Sequence, residues 1–135
     1  MILTDAGPLV AVIDRGERDH ERCANLLRDL AGPMLTTWPA YTEAMYLLGD
    51  AAGWAGQEPL WRLVRRGDLR IAEASPTVID RMAALMSRYR NLPMDLADAS
   101  LVALAEERGL IRVFTLDAHF RTYRTARGKP FAIVP

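Results

Sequence analysis

The chain has 135 residues, half of them hydrophobic and a quarter charged, which is typical of a globular protein with one domain, 1–135. Its 17 basic and 17 acidic residues cancel, so no overall positive field attracts nucleic acid. The single cysteine, Cys23, excludes an internal disulfide and is expected to be a buried helical residue. No apolar run approaches the ~20 residues that cross a bilayer, and Asp5 interrupts the first apolar stretch too early for a signal peptide, so we expect a cytoplasmic protein.

Short apolar runs alternate with segments of helical periodicity, and glycine and proline separate them. In chain order the pattern predicts strand Ile2–Thr4, helix Leu9–Ile13, helix His20–Leu30, strand Met34–Thr36, helix Ala40–Ala52, helix Pro59–Arg66, strand Leu69–Ala72, helix Pro76–Tyr89, helix Leu96–Gly109, strand Arg112–Leu116, a helical turn near His119–Arg124 and strand Phe131–Val134. This alternation predicts a three-layer α/β/α domain whose central, mainly parallel sheet has about four or five strands.

Four carboxylates occupy related positions in this pattern. Asp5 and Asp117 follow predicted strands, whereas Glu43 and Asp98 lie near the starts of predicted helices. In a parallel α/β sheet these positions share one edge, so we expect the four side chains to meet in one cleft. Two such charges repel by ~4 kcal/mol at ~4 Å and an effective dielectric of ~20. A bound divalent cation would relieve this repulsion, so the arrangement predicts a metal site.

Each of these residues also has a purely structural interpretation. Asp5 and Asp117 are typical of turns, and Glu43 would offset the positive end of a helix dipole. Thr115 points to the same strand face as Asp117 and is either a hydroxyl that bonds a ligand or an ordinary β-forming residue.

Asp95 and Asp98 have the spacing of a helix N-cap and its partner three residues on, which predicts that Asp95 caps the helix. Three apolar residues lie within about 60° of Asp98 around the helix axis: Leu101, Val102 and Ala105. Asp98 is therefore expected on the buried side, with Glu106 and Glu107 facing water. A buried carboxylate is rare without a partner, which favours a functional role for Asp98.

Four segments of the chain resemble the PIN-domain ribonucleases, specifically the VapC-type toxins of bacterial toxin–antitoxin pairs. They are residues 2–11 (ILTDAGPLVA), 41–44 (YTEA), 94–105 (MDLADASLVALA) and 115–120 (TLDAHF). Their order and spacing agree with that family over essentially the whole chain. One difference is Ala6, because many relatives have a hydroxyl residue directly after the first aspartate.

The resemblance implies a PIN domain that hydrolyses RNA and leaves 3′-hydroxyl and 5′-phosphate ends. Asp5, Glu43, Asp98 and Asp117 would be the catalytic acids. Asp5 and Asp98 would bind Mg²⁺, with Mn²⁺ able to substitute, and Thr115 would support them. The resemblance also implies a homodimer and a VapB-like cognate antitoxin whose helix covers an apolar groove.

Other interpretations remain open at this stage. The apolar bulk between Tyr41 and Trp61 suits either core packing or an antitoxin groove. The arginines within 62–70, and Arg121, Arg124, Arg127 and Lys129, suit either a solvated surface or contacts with flanking phosphates. The main competing function is a non-catalytic RNA-binding or regulatory protein on the same fold. A phosphoacceptor receiver domain is disfavoured, because no aspartate follows the second or third predicted strand and the only lysine is near the end.

Overall fold

The computed structural model describes residues 1–135, and strands alternate with helices as the sequence predicts. The strands are β1 (Ile2–Thr4), β2 (Met34–Thr37), β3 (Leu69–Ala72), β4 (Arg112–Phe114) and β5 (Ala132–Val134). The helices are α1 (Ala6–Ile13), α2 (His20–Asp29), α3 (Trp38–Ala52), α4 (Trp54–Arg65), α5 (Pro76–Arg88) and α6 (Leu96–Arg108), with a short 3-10 helix at Ala118–Arg121. None of these helices is both long enough and apolar enough to cross a membrane.

Helix α1 starts three residues earlier than predicted, at Ala6 instead of Leu9. Asp5 explains the early start, because its side chain accepts a hydrogen bond from the Ala6 backbone N–H and caps the helix. Pro8 then falls within the first turn, where a proline costs no helical hydrogen bond. The start predicted from the Gly7-Pro8 turn is therefore wrong.

Helix α4 begins at Trp54, five residues before the predicted Pro59. The two helices α3 and α4 are joined by Gly53 alone, which has a φ of 59° that side-chain-bearing residues rarely adopt. Gly56 allows the helices to pack closely, since a Cβ there would lie 2.6 Å from the Leu48 carbonyl oxygen. The prediction placed a break where the chain makes a tight helical hairpin.

The sheet has five strands, all parallel, in the order β3-β2-β1-β4-β5. This confirms the predicted sheet. The chain runs outward from β1 to β2 and β3, and later returns to add β4 on the other side of β1. The direction of winding thus reverses between β1 and β4, and the carboxyl ends of strands at such a reversal form the crevice where open α/β sheets bind ligands.

Two apolar clusters cover the two faces of the sheet, which confirms the three-layer arrangement. Leu3 and Val113 point to the cluster that holds the apolar residues of α5 and α6. Ile2 and Phe114 point to the opposite cluster, built mainly from α1, α2, α3 and α4. Neighbouring residues of a strand face opposite sides, which explains this division. Cys23 is fully buried in the second cluster, as expected.

Candidate active site

Four sequence-predicted acids lie around the crevice between β1 and β4. Asp5 directly follows β1, Asp117 follows the end of β4 by three residues, Asp98 is the third residue of α6, and Glu43 is the sixth residue of α3. All four line one open cavity of about 270 Å³. The structure therefore brings together the side chains that the sequence predicted would converge. Their roles in catalysis and metal binding stay predictions.

Asp5 is buried and held by hydrogen bonds to both carboxylate oxygens. The Ala6 backbone N–H donates to Oδ1 at 2.7 Å, and the Thr115 hydroxyl donates to Oδ2 at 2.8 Å. The Thr115 oxygen also accepts a hydrogen bond from the Asp117 backbone N–H at 3.0 Å. In the structure the Thr115 hydroxyl orients the Asp5 carboxylate, and a contact between this hydroxyl and a ligand stays a prediction.

Asp98 is also buried, with a side-chain oxygen in a hydrogen bond. The Tyr123 hydroxyl donates to Asp98 Oδ2 at 2.7 Å. The Asp98 backbone N–H donates to Asp95 Oδ1 at 2.8 Å, so Asp95 caps α6 as predicted. Asp95 also lines the cavity, which makes it a fifth carboxylate at this place.

Asp98 is buried because α6 is covered on all its faces around this residue, and not only on the apolar face from which the burial was predicted. Every residue from Ala97 to Ala105 is buried, so α6 is enclosed on all sides over this stretch. Glu106 was expected to face water, but it is half-buried and forms an ion pair with Arg81 at 2.8 Å. Glu107 is exposed, as expected.

Glu43 and Asp117 are the more accessible acids. Glu43 is exposed and makes no hydrogen bond or ion pair with another side chain, and it lies in the second turn of α3, beyond the turn where a helix dipole acts strongly. Asp117 Oδ1 accepts the His119 backbone N–H at 2.9 Å, as in an aspartate turn. The His119 ring Nδ1 lies 3.6 Å from the same oxygen.

No lysine, arginine or histidine lines the cavity, and His119, beside Asp117, is the one basic side chain paired with any of its acids. The pKa of Asp98 is raised to about 7, first by burial and then by the negative charges of Asp95, Asp5 and Asp117, with the Tyr123 hydrogen bond acting in the opposite direction. Burial also raises the pKa of Asp5, opposed by its hydrogen bonds from Thr115 and Ala6. Partial burial and then the charges of Asp5, Asp95 and Asp117 raise the pKa of Glu43. These directions are expected for carboxylates held together without a counter-charge.

Three features of the site did not follow from the sequence reasoning. Asp95 faces the cavity as well as capping α6, and Tyr123 bonds Asp98 across 25 residues of chain. His119 had no role predicted from the sequence, yet one ligand atom each of Asp98, Asp117 and His119 lie within 4.8 Å of one another. The sequence offered one signal for these contacts, which is the position of His119 two residues after Asp117. Nothing in the sequence indicated the contact of Tyr123 with Asp98.

Arg66 and Arg121, one from each group of basic residues, lie at opposite ends of the strands. Arg66 precedes β3 and pairs with Asp68 at 3.2 Å. This ion pair lies at the amino ends of the strands, whereas the acids lie at the carboxyl ends. Arg121 ends the 3-10 helix that begins just after Asp117, at the same edge as the acids, and it is exposed. Among these basic residues, Arg121 is therefore the one that chain order places near the acids.

Comparison with known proteins places this chain in a family. The family model described as PIN domain matches residues 2–125. The chain belongs to the PIN-domain family. This PIN domain is 24% identical over 135 residues to ribonuclease VapC26 of Mycobacterium tuberculosis, with 99% of this chain and 100% of the relative covered. The resemblance seen in the four sequence segments is thus confirmed.

Solved structures share the same fold. The Sarcin-Ricin loop cleaving toxin VapC20 of Mycobacterium tuberculosis superposes with a TM-score of 0.85 at 15% identity, covering 100% of both chains. A toxin–antitoxin complex from Klebsiella pneumoniae superposes with a TM-score of 0.65 at 18% identity, covering 87% of both chains. At these identities the likeness concerns the architecture of the PIN domain.

Proposed function

We propose that this protein is a divalent-metal-dependent endoribonuclease, the toxin of a toxin–antitoxin pair, and that residues 1–135 form one PIN domain. The observation that carries the proposal is the cavity lined by Asp5, Glu43, Asp98 and Asp117 without a basic side chain. The similarity to a curated ribonuclease over the whole chain supports RNA as the substrate. Strand β5 lies beyond the matched residues but pairs with β4, which supports a single domain. An RNA substrate would place the activity in the cytoplasm.

The chemistry of the donor set fits Mg²⁺ or Mn²⁺. These hard cations prefer carboxylate oxygens, and Mg²⁺ is commonly bound by one or two carboxylates while it keeps several waters. Asp5 and Asp98, whose positions are fixed by burial and hydrogen bonds, would hold the cation. Glu43 and Asp117 are more exposed and would contact it directly or through water.

The proposed reaction is hydrolysis of an RNA phosphodiester. When bound, the cation would acidify a water and neutralise negative charge on the phosphate. Glu43 is placed at the cavity with a raised pKa, so its carboxylate would accept a proton from the attacking water. The water oxygen bonds to phosphorus as the bond to the 3′ oxygen breaks, which leaves 3′-hydroxyl and 5′-phosphate ends.

Cleavage of RNA by the purified protein tests the proposal. Wild-type protein with Mg²⁺ or Mn²⁺ should cut RNA, and the 5′-phosphate ends should accept direct adapter ligation. Chelator or Asp98→Asn should lower the rate by about two orders of magnitude or more, since several kcal/mol of charge stabilisation are lost. Asp80→Asn is the matched control, because Asp80 is exposed on α5 without a salt bridge. RNA binding that persists in chelator, without cleavage under any condition, would instead indicate the non-catalytic alternative.

The proposed antitoxin site is an exposed apolar surface on α3 and α4, formed by Tyr46, Leu47 and Trp54. These side chains are 70%, 41% and 62% exposed, whereas Tyr41 and Leu48 on the same helical hairpin are buried in the core. Leu47 also lines the acidic cavity, so a partner on this surface would reach the acids. The toxin–antitoxin complex among the solved structures of this fold supports such a partner.

A coexpression experiment tests the antitoxin and homodimer proposals together. The product of an adjoining upstream frame should copurify with the wild-type chain and block cleavage, and Trp54→Arg should weaken that association, unlike Asp80→Asn. Size-exclusion chromatography with light scattering on the free toxin should report twice the mass of one chain. A monomer at all concentrations would contradict the proposed homodimer.

A further inference from the structure

Tyr123 is the buried group of the acidic site that has no role in the proposed reaction. Its side chain is fully buried, and its ring packs edge-on against Tyr89 and Phe120, with centroid separations of 5.1 Å in both pairs. This packing holds the hydroxyl in one place. The hydroxyl donates to Asp98 Oδ2 at 2.7 Å, and Asp98 Oδ1 receives no hydrogen bond from the protein.

This contact limits how Asp98 is able to bind a cation. A carboxylate that binds through both oxygens suits Ca²⁺, which takes six to eight oxygen ligands in flexible geometry. Mg²⁺ is smaller, demands near-ideal octahedral geometry and is bound through single carboxylate oxygens and water. Because Oδ2 accepts the Tyr123 hydrogen bond, Oδ1 is the oxygen of Asp98 whose lone pairs are all free for a cation.

We propose that Tyr123 is a positioning residue that makes the site select Mg²⁺ over Ca²⁺ by favouring binding through the single oxygen Oδ1 of Asp98. The inference rests on the proposed metal site and adds a determinant of its selectivity. Asp5 is also held in one orientation, because the Ala6 N–H and the Thr115 hydroxyl each donate to one of its oxygens, and each oxygen keeps a further lone pair for a cation. Thr115 and Tyr123 lie in one segment of chain, so a single segment supplies the hydroxyls that orient both buried acids.

Calorimetric titration of the full chain with Mg²⁺ and Ca²⁺ measures this selectivity without relying on activity. Tyr123→Phe keeps the ring and removes only the donor. Outer hydrogen-bond partners of metal ligands typically contribute 10–100-fold in affinity, so the Kd for Mg²⁺ should rise by about that factor. The Kd for Ca²⁺ should rise less or fall, and the preference for Mg²⁺ should drop by about tenfold.

Tyr89→Phe is the matched control, because it removes a hydroxyl from the ring that packs on Tyr123, and that hydroxyl makes no hydrogen bond within the protein. It should leave both affinities unchanged. If Tyr123→Phe fails to fold, Tyr123→Met, which also lacks the donor and adapts to irregular core space, carries the same expectation.

The outcomes separate this inference from the proposed function. Wild-type protein that binds neither Mg²⁺ nor Mn²⁺ would overturn the metal site itself. Wild-type protein that binds them, together with a Tyr123 variant whose ratio of Mg²⁺ to Ca²⁺ affinity is unchanged, would overturn only the role of Tyr123. An equal loss of affinity for both cations counts as that second outcome, since it leaves selectivity unaltered.

Discussion

Single residues of the acidic cavity differ mainly in how firmly the protein holds them. Asp5 and Asp98 are buried, and hydroxyls of Thr115 and Tyr123 fix their carboxylates. Glu43 is exposed and lacks any such restraint. Buried carboxylates held by hydrogen bonds suit the binding of a small cation, whereas an exposed carboxylate without hydrogen bonds suits contact with water and substrate. The proposed division of roles follows from this difference.

Replacement of Thr115 by valine tests the residue-scale argument. Thr115→Val keeps the shape of the side chain but leaves Asp5 Oδ2 without its donor, so affinity for Mg²⁺ should fall by roughly 10–100-fold. Cleavage at limiting Mg²⁺ should fall in parallel and recover partly at high Mg²⁺. Thr122→Val, at an exposed hydroxyl without a hydrogen bond, should behave as wild type. Unchanged Mg²⁺ dependence in Thr115→Val would contradict a supporting role for this hydroxyl.

At the first turn of helix α6, Asp95 has two effects that act in opposite directions on the stability of the protein. Asp95 caps the helix through Oδ1, which stabilises it, and its negative charge also raises the pKa of Asp98. The capping needs only a side-chain oxygen, whereas the repulsion needs the charge. Substitution by asparagine separates the two, since asparagine caps helices about as well as aspartate.

Two substitutions of Asp95 should therefore differ in stability. In chelator at pH 7.5, Asp95→Asn should be at least as stable as wild type, because it keeps the cap and removes one repelling charge. Asp95→Ala should be about 1 kcal/mol less stable than Asp95→Asn, since it also loses the cap. Urea denaturation followed by circular dichroism measures both. Equal stability of the two variants would mean that the capping bond contributes nothing.

For the whole molecule, a net formal charge of zero conceals a strongly uneven distribution. Five carboxylates line one cavity at the carboxyl edge of the sheet, and no lysine, arginine or histidine lines it with them. The carboxyl of Asp98 has a pKa near 3.8 without the folded environment and about 7 within it. Between these pH values the folded state holds more protons than the unfolded state, so the free energy of unfolding falls as pH rises. The raised pKa of Asp5 acts in the same direction.

Stability of the metal-free protein should accordingly decrease between pH 5 and pH 8. Urea denaturation in chelator should show this decrease, and saturating Mg²⁺ should stabilise the protein more at pH 8 than at pH 5, where protons compete with the cation. Asp98→Asn should flatten the dependence, because the neutral amide does not titrate. Stability in chelator that rises over this range would contradict the pKa direction assigned to Asp98.

The amino-acid sequence by itself determined the order of strands and helices, the parallel sheet and the convergence of four acids on one edge. These follow from local patterns and from a geometric rule, since strand carboxyl ends and helix amino ends share an edge in any parallel α/β sheet. The structure differs where local signals compete. Asp5 caps α1 and so overrides the Gly7-Pro8 turn, and Gly53 joins α3 to α4 where a break was expected.

Only the tertiary structure decided which side chains touch the acids. The hydrogen bond from Tyr123 to Asp98 and the position of Asp95 in the cavity depend on how α6 packs against the segment after β4. The enclosure of α6 on all sides likewise comes from neighbouring elements, which the periodicity of one helix does not contain. Periodicity and spacing report the neighbours of a residue along its own element, whereas hydrogen bonds and electric fields depend on distances between elements. Those distances exist only once the sheet and helices have packed.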